Sequence, residues 1–304
     1  MTDREQAGLR GRLRTCATER DYQYPSRRWV MHTDDTFSPE GHLLQRRHRN
    51  PDGSHWSTIF RYDEQGRPLE KEQLSEDPGA SQLFSYQYDV LGRLDRIVLR
   101  SGKDDERVFE SVQYASDGTK TRTSYPTALD STKRETTGVS AEAMLHYSMD
   151  AVVIMTVFDA GDHPIRKVLY DADDRVIRRV GFRYDTRGLL LEEGELVDGR
   201  IRDDLRNVYR YDVSGRQIEA DKRWGDLGGR RRTLAYNDRG YIAQEMSEQN
   251  TGIFSEANEI QSWTERFAYQ YDDQGNWTER TTETIVQNGE ARISMIERHE
   301  LTYY

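Results

Sequence analysis

A single cysteine, Cys16, in 304 residues excludes an internal disulfide framework and any metal site built from several thiolates. No stretch approaches the roughly 18 consecutive apolar residues of a membrane-spanning helix. The first twenty residues alternate charge with small side chains and hold no apolar core. Neither a secretory signal nor a lipid anchor at Cys16 is expected there, so the chain reads as cytoplasmic, or exported by a dedicated route. Aliphatic side chains are scarce: Leu, Ile, Val and Phe make up about 19 % of the chain, near the composition at which disorder competes with folding. Eighteen tyrosines and five tryptophans argue for a folded chain whose core is aromatic. A net charge of −10 repels phosphate backbones and anionic lipid, which argues against nucleic acid and membranes as partners.

What the sequence has is a repeat. An aromatic residue, Asp, two variable residues and Gly recur at Tyr62-Asp63 with Gly66, Tyr88-Asp89 with Gly92, Tyr184-Asp185 with Gly188, Tyr211-Asp212 with Gly215, and Tyr271-Asp272 with Gly275. Degenerate copies stand at Phe37 with Gly41, Tyr114 with Gly118, Phe158 with Asp162, Tyr170 with Asp174, and Tyr236 with Gly240. A spacing of 25 to 27 residues dominates, with departures of 44, 12 and 14 mid-chain and 35 near the end.

The motif has a mechanical reading. Asp favours the first position of a type I turn, and Gly in the fourth supplies the left-handed residue of a bulged hairpin. Where Gly is missing, Asp162 and Asp174 are among the few residue types that tolerate that conformation. Second turns fall between copies, at Asn50-Pro51-Asp52-Gly53, Asp77-Pro78-Gly79, Asp198-Gly199 and Asn288-Gly289. Two turns per unit predict an all-β antiparallel meander of about twenty strands, curled or wound because strands twist. Tyrosines at a fixed offset from each turn can form ladders, and the Arg after the turn Gly can stack on their rings or pair with carboxylates.

Residues 1–28 lack period two and are expected to be a charged arm or cap, leaving 29–304 as one repeat domain. Residues 119–150, rich in Ser and Thr, read as an irregular insertion or a worn repeat. The apolar run Ala151–Phe158 reads as a strand covered on both faces.

The Tyr-Asp-x-x-Gly-Arg runs at Tyr62–Arg67, Tyr88–Arg93 and Tyr211–Arg216 resemble the YD-repeat or RHS-repeat proteins of bacteria, over about residues 34–304. The ending from Tyr271 to Arg280, followed by Glu300 to Tyr304, is similar to the closing unit of short members. The resemblance implies a wound β-sheet, which in long members is a shell around a toxic C-terminal domain. It also implies a scaffold or recognition role in a toxin or competition system. No toxin domain fits after the last repeat, and the Asp-Pro-rich processing motif is missing, so neither toxicity nor self-cleavage carries over.

No catalytic constellation stands out. His32, His42, His48 and His55 cluster within 24 residues without zinc-motif spacing, and read as solvated or hydrogen-bonded. Acid pairs at Asp104-Asp105, Asp173-Asp174, Glu192-Glu193 and Asp203-Asp204 point to opposite faces of a strand or cap turns. Trp224–Arg230 is Gly-rich but lacks the ending of a phosphate loop, and reads as a hairpin loop. No nucleophile elbow occurs, and no cofactor or metal is implied. Trp29, Trp56, Trp224, Trp263 and Trp277 can serve packing or form a row that stacks on sugars or anchors a protein, with Trp224, Trp263 and Trp277 as candidate binding residues.

The leading expectation is a non-enzymatic β-sheet scaffold that binds another protein. A carbohydrate-binding or carbohydrate-cleaving surface is the alternative, and a cytoplasmic immunity-type protein the third reading. Oligomeric state is open, although exposed edge strands favour capping or association.

Overall fold

The turns account for most of the architecture. The computed structural model describes residues 2–76, 80–102, 105–125, 151–250, 260–287 and 289–304. After a short helix α1 (Asp3–Gln6) come β1 (Leu13–Tyr24), β2 (Arg27–Phe37), β3 (Leu43–Arg49), β4 (His55–Tyr62), β5 (Pro68–Ser75), β6 (Gln82–Tyr88) and β7 (Leu94–Ser101). They are followed by β8 (Asp105–Tyr114), β9 (Lys120–Ser124), β10 (Val153–Phe158), β11 (Pro164–Tyr170), β12 (Val176–Tyr184), β13 (Leu190–Val197) and β14 (Arg200–Tyr211). The last are β15 (Gln217–Arg223), β16 (Gly229–Tyr236), β17 (Ile242–Asn250), β18 (Ile260–Tyr271), β19 (Trp277–Val286) and β20 (Ala291–Tyr303). All twenty belong to one sheet, and every described pairing is antiparallel.

Each clean Tyr-Asp copy closes a hairpin as the turn chemistry requires. At Asp63, the N–H of Gly66 donates to the Asp63 carbonyl and the N–H of Asp63 to the Arg67 carbonyl, both at 2.9 Å. Asp63 Oδ1 accepts from the N–H groups of Gln65 and Arg67, each at 2.9 Å. Gly66 takes φ 77°, and Asp162 and Asp174 take 66° and 60°, so the degenerate copies keep the left-handed residue. The register slips by one residue at Tyr62, Tyr88, Tyr184 and Tyr211, the mark of a bulge beside each turn.

The irregular spacings have simple causes. Turn 159–162 joins β10 to β11 and turn 171–174 joins β11 to β12, so copies 12 residues apart cap opposite ends of one strand. The 44-residue gap contains β9, β10 and their connection. That connection, residues 126–150 of the expected insertion, lies outside the described residues, as do Asp77-Pro78-Gly79, Asp104 and Asn288.

Three expectations are corrected. The sheet is not an open curled or wound one: β1, the first strand, pairs with β20, the last, from Leu13↔Tyr303 to Tyr22↔Met295, so the meander closes on itself as a β-barrel does. Closure satisfies edge groups that would otherwise recruit another chain. Residues 13–24 of the expected charged arm are β1, flanked by β2 and β20, because its alternation buries polar Thr18 beside apolar Leu13 and Cys16. Of Ala151–Phe158 only Ile154 is buried, so that strand is not covered on both faces.

In place of one repeat domain, contacts divide the chain into two units, Met1–Val108 with Glu265–Tyr304, and Phe109–Thr264. The first carries the continuous pairing β19–β20–β1–β2–β3–β4–β5–β6–β7. Its apolar cluster is small, Leu9, Leu13, Cys16, Phe37 and Leu43 with Phe60 and Leu301 against it. The second carries β8 to β17 in succession, with Val168, Leu169, Val180, Ala220 and Leu234 buried.

Candidate functional site

The turns are chemically linked within each unit. Tyr62, Tyr88, Tyr184, Tyr211 and Tyr236 donate their hydroxyls to the carbonyls of Leu43, Pro68, Pro164, Leu190 and Gln217, at 2.6 to 2.9 Å. The residue after one turn's Gly then covers a later Tyr ring: Arg67 lies 4.4 Å from the centroid of Tyr88, and Arg216 lies 4.7 Å from that of Tyr236. His42 and His163 occupy the equivalent position, His42 stacked on Tyr62 at 4.7 Å and His163 tilted against Tyr184 at 5.0 Å. The expected stacking of the post-Gly cation is present, and His replaces Arg in two copies. Asp89, Asp185 and Asp212 sit below the usual carboxylate range because the N–H groups of Arg93, Leu189 and Arg216 donate to the ionised form. These carboxylates hold turns rather than protons for catalysis.

The three candidate tryptophans are divided between the two units. Trp224 is 9 % exposed, in the loop between β15 and β16, which corrects its reading as an exposed anchor. Trp263, on β18 in the same unit, is half-buried under the Arg230 guanidinium at 4.9 Å. Trp277 lies in the other unit, its ring centroid 3.6 Å from that of His299. Packing has taken these rings because the chain has few aliphatic side chains to do so.

The seam where β19, β20 and β1 meet carries a buried charge cluster in the first unit. Glu297, 2 % exposed, receives Arg20 Nε at 2.8 Å and Arg280 Nη2 at 2.6 Å from either side. His299, next on the same face, has its Nε2 3.9 Å from Glu297 and its pKa pushed down to about 4 by burial. At neutral pH the imidazole is therefore neutral, beside a carboxylate paired to two arginines. In the second unit Glu245 plays the same part, held by Arg232 at 2.8 and 2.6 Å and by Arg230 at 3.1 Å.

On the other face of the seam runs the row Glu279, Arg298, Glu19, His32, with Arg298 bonded to both glutamates at 3.0 Å. The next row is Glu300, Ala17, Asp34, and the small Ala17 between long side chains leaves an open groove of about 460 Å³. Among the described residues no group of three or more His, Cys, Asp or Glu is placed to hold a metal ion. Glu192 and Glu193 face opposite ways as adjacent strand residues must, the first to Arg183 and Arg206, the second to Asn207 and Tyr209.

One feature escaped the sequence reading. Val90 and Leu91, the two variable positions of the turn at Asp89, are 102 % and 72 % exposed. The Asp89 carboxylate bonds the N–H groups of Leu91 and Arg93 at 2.9 and 2.8 Å and sets the turn without either side chain. Clean copies elsewhere carry Glu64-Gln65, Thr186-Arg187, Val213-Ser214 and Asp273-Gln274 there. Comparing those positions across copies is the signal that finds the apolar pair.

No family model and no curated protein matches the chain. Among solved structures it is similar to a porin-like protein from Bacteroides uniformis ATCC 8492, at 9 % identity and TM-score 0.39, covering 95 % of this chain and 96 % of that one. A porin-like protein from Bacteroides vulgatus ATCC 8482 is similar at 11 % identity and TM-score 0.33, with 94 % and 97 % covered. A TcdB2-TccC3-TEV structure is similar at 12 % identity and TM-score 0.21, with 90 % of this chain and 18 % of that one covered. Membership of the YD- or RHS-repeat family is thereby corrected: no family model matches, and β1 joins β20 where a wound shell would run on. Among the described residues no helix is long and apolar enough to cross a membrane, a statement that does not extend to strands.

Proposed function

We propose that the chain is a non-enzymatic β-sheet scaffold that binds another protein, with the Val90-Leu91 turn tip as an anchor. The observation that supports this reading is the near-complete exposure of two adjacent apolar side chains on a hairpin whose geometry needs neither. Burying such a pair at an interface is worth about 1.5–3 kcal/mol per side chain, and presentation on a rigid turn limits the ordering entropy lost on binding. The ion-paired state of Glu192, Glu245 and Glu297 agrees with a scaffold rather than an enzyme. The test is crosslink capture with the wild type against a Val90→Ser, Leu91→Ser double variant. A polypeptide captured by the wild type and lost from the variant is expected, and identical captures from both would refute the anchor.

The carbohydrate reading keeps one supporting observation, the groove over Ala17 lined by Glu19, Asp34, Glu300, Arg298 and His32, side chains suited to hydroxyl groups. A glycan array with the wild type and a Glu300→Gln variant tests it, and absence of any glycan bound by the wild type removes it.

A further inference from the structure

Residues 2–10 lie outside the sheet and are tied across its turn end in the first unit. Thr2 and Glu5 form a reciprocal cap on α1, the Glu5 N–H donating to Thr2 Oγ1 at 3.3 Å and the Thr2 N–H to Glu5 Oε2 at 2.8 Å. A helix of four residues does not stand alone in water, so this segment keeps its shape only while docked. Its contacts lie at two places. Toward β3, Asp3 Oδ2 accepts from the Leu43 N–H at 2.9 Å and shares the Tyr62 hydroxyl proton, at 3.0 Å, with the Leu43 carbonyl, and the Arg4 N–H donates to the Gly41 carbonyl at 3.0 Å. At the β18–β19 turn, the Arg10 N–H donates to Asn276 Oδ1 at 2.6 Å, and Asn276 Nδ2 donates back to the Arg10 carbonyl at 3.1 Å.

Asn276 explains itself through this contact. It occupies the post-Gly position that holds Arg67, Arg93 and Arg216 in other copies. Its amide, 1 % exposed, matches a peptide group donor for acceptor, which guanidinium cannot do. Gly41, the ordinary turn glycine of its copy at φ 99°, also lies against the segment: a Cβ there would stand 2.9 Å from Thr2 Oγ1 and 3.2 Å from the Arg4 guanidinium. Two turns are thus in contact with this segment, one of them through a residue that departs from the repeat.

Only Leu9 of the segment is buried with the apolar cluster of Leu13, Cys16, Phe37 and Leu43. Gly8 and Gly11 flank it at φ 72° and 76°, left-handed conformations that glycine adopts without strain; a Cβ at Gly8 would meet nothing within 4 Å, whereas one at Gly11 would meet the Tyr303 ring at 3.4 Å. Arg4 Nη1 is buried with no hydrogen-bond partner, a cost of the docked state that undocking relieves. One buried side chain, few polar anchors and glycine joints are the properties of a segment that opens locally while the sheet beneath stays folded.

We propose that residues 2–10 are a displaceable lid over the turn end of the first unit, docked through Asp3, Leu9 and Asn276, whose opening about Gly11 uncovers the apolar cluster containing Cys16. The test uses Cys16 as a reporter in the full chain. Its alkylation by iodoacetamide is followed at pH 8 in rising urea below the unfolding transition, with amide exchange at Leu43 and Arg10 measured alongside. Lid opening gives alkylation that depends only weakly on urea, and exchange at Leu43 and Arg10 faster than at Thr18 in β1. Asp3→Ala and Asn276→Ala each then raise the alkylation rate at least tenfold with unchanged circular dichroism. The proposal is overturned if wild-type alkylation climbs with the full urea dependence of global unfolding, or if Leu43 and Arg10 exchange as slowly as Thr18. The wild-type measurements decide the matter even where a variant fails to fold.

Discussion

Acidification should weaken the fold through His299 before carboxylate protonation begins to matter. The imidazole is 9 % exposed, packed against Trp277 in a tilted arrangement, and faced by Glu297 on β20, by Arg280 on β19 and by Arg20 on β1. Burial, with help from the two arginines and against Glu297, holds its folded pKa at about 4, against 6.5 when free. As pH falls below 6.5 the unfolded chain binds this proton first. Unfolding then takes up a proton, and stability is lost progressively down to about pH 4, below which both states are protonated. The full loss is roughly 3 kcal/mol. His48, also lowered chiefly by burial, adds a smaller loss of the same sign. Urea midpoints by circular dichroism from pH 7.5 to 4.5 measure the slope, and His299→Phe keeps a ring on Trp277 while removing the titration. The variant should lose most of the slope, and the His48→Phe, His299→Phe pair nearly all of it. A wild-type stability that is flat across that window, or an unchanged slope in His299→Phe, refutes the reasoning.

Other consequences follow from the turns and the seam. Gly188→Ala should cost more than Gly240→Ala, since both have φ near 80° but a Cβ at 188 meets His163 Nε2 at 2.8 Å whereas nothing lies within 4 Å at 240. The expected costs are about 2–3 and about 1 kcal/mol, read from urea midpoints. Glu297→Gln leaves two arginines with half a partner and should destabilise by about 3–5 kcal/mol. A double-mutant cycle of Arg216→Ala with Tyr236→Leu should return about 0.5–1 kcal/mol of coupling, and Tyr236→Phe, which only removes the bond to Gln217, about 1 kcal/mol. A coupling near zero would mean that the stacked cation is ornamental.

Much of this fold was legible because turn chemistry is local. Asp at the first position and Gly or Asp at the left-handed one are read within five residues, and so is the post-Gly cation that stacks on a later Tyr. What could not be read is non-local. Nothing in Leu13–Tyr24 announces that it pairs with β20, because it buries polar Thr18 and Asp21 as well as apolar Leu13 and Cys16, and such a mixture looks like a solvated arm. The 12-residue spacing between Phe158 and Tyr170 was visible, but that the two turns lie at opposite strand ends follows only from pairing. The candidate tryptophans could not be sorted from sequence because residue type does not say which rings pack, and in a chain poor in aliphatic residues Trp224, Trp263 and Trp277 are spent on packing. Val90 and Leu91 were passed over as variable positions, although their identity is what the turn does not determine.

A polar seam raises the question of what it contributes, since buried ion pairs often return little net stability. Register supplies an answer. Glu297 lies opposite Arg20 on β1 and Arg280 on β19. A one-residue slip would turn every side chain to the wrong face, and a two-residue slip keeps the faces. In an apolar sheet the second error is cheap. Here it would place Glu297 against Thr18 or Tyr22 on one side and Thr278 or Thr282 on the other, stripping a buried carboxylate of both cations. The loss of such partners costs several kcal/mol, so the closing ladder has one register that satisfies its charges. A chain that joins its first and last strands, with no local turn between them to set the alignment, needs that kind of specification most at the seam. Replacing Arg20, Glu297 and Arg280 together by Leu or Met should therefore leave urea stability within about 1–2 kcal/mol of wild type, since the desolvation penalty is removed with the attraction. The same triple variant should lose single-register pairing, seen as doubled amide resonances for β1 and β20. A destabilised variant that keeps one register would show that the seam acts through energy rather than alignment.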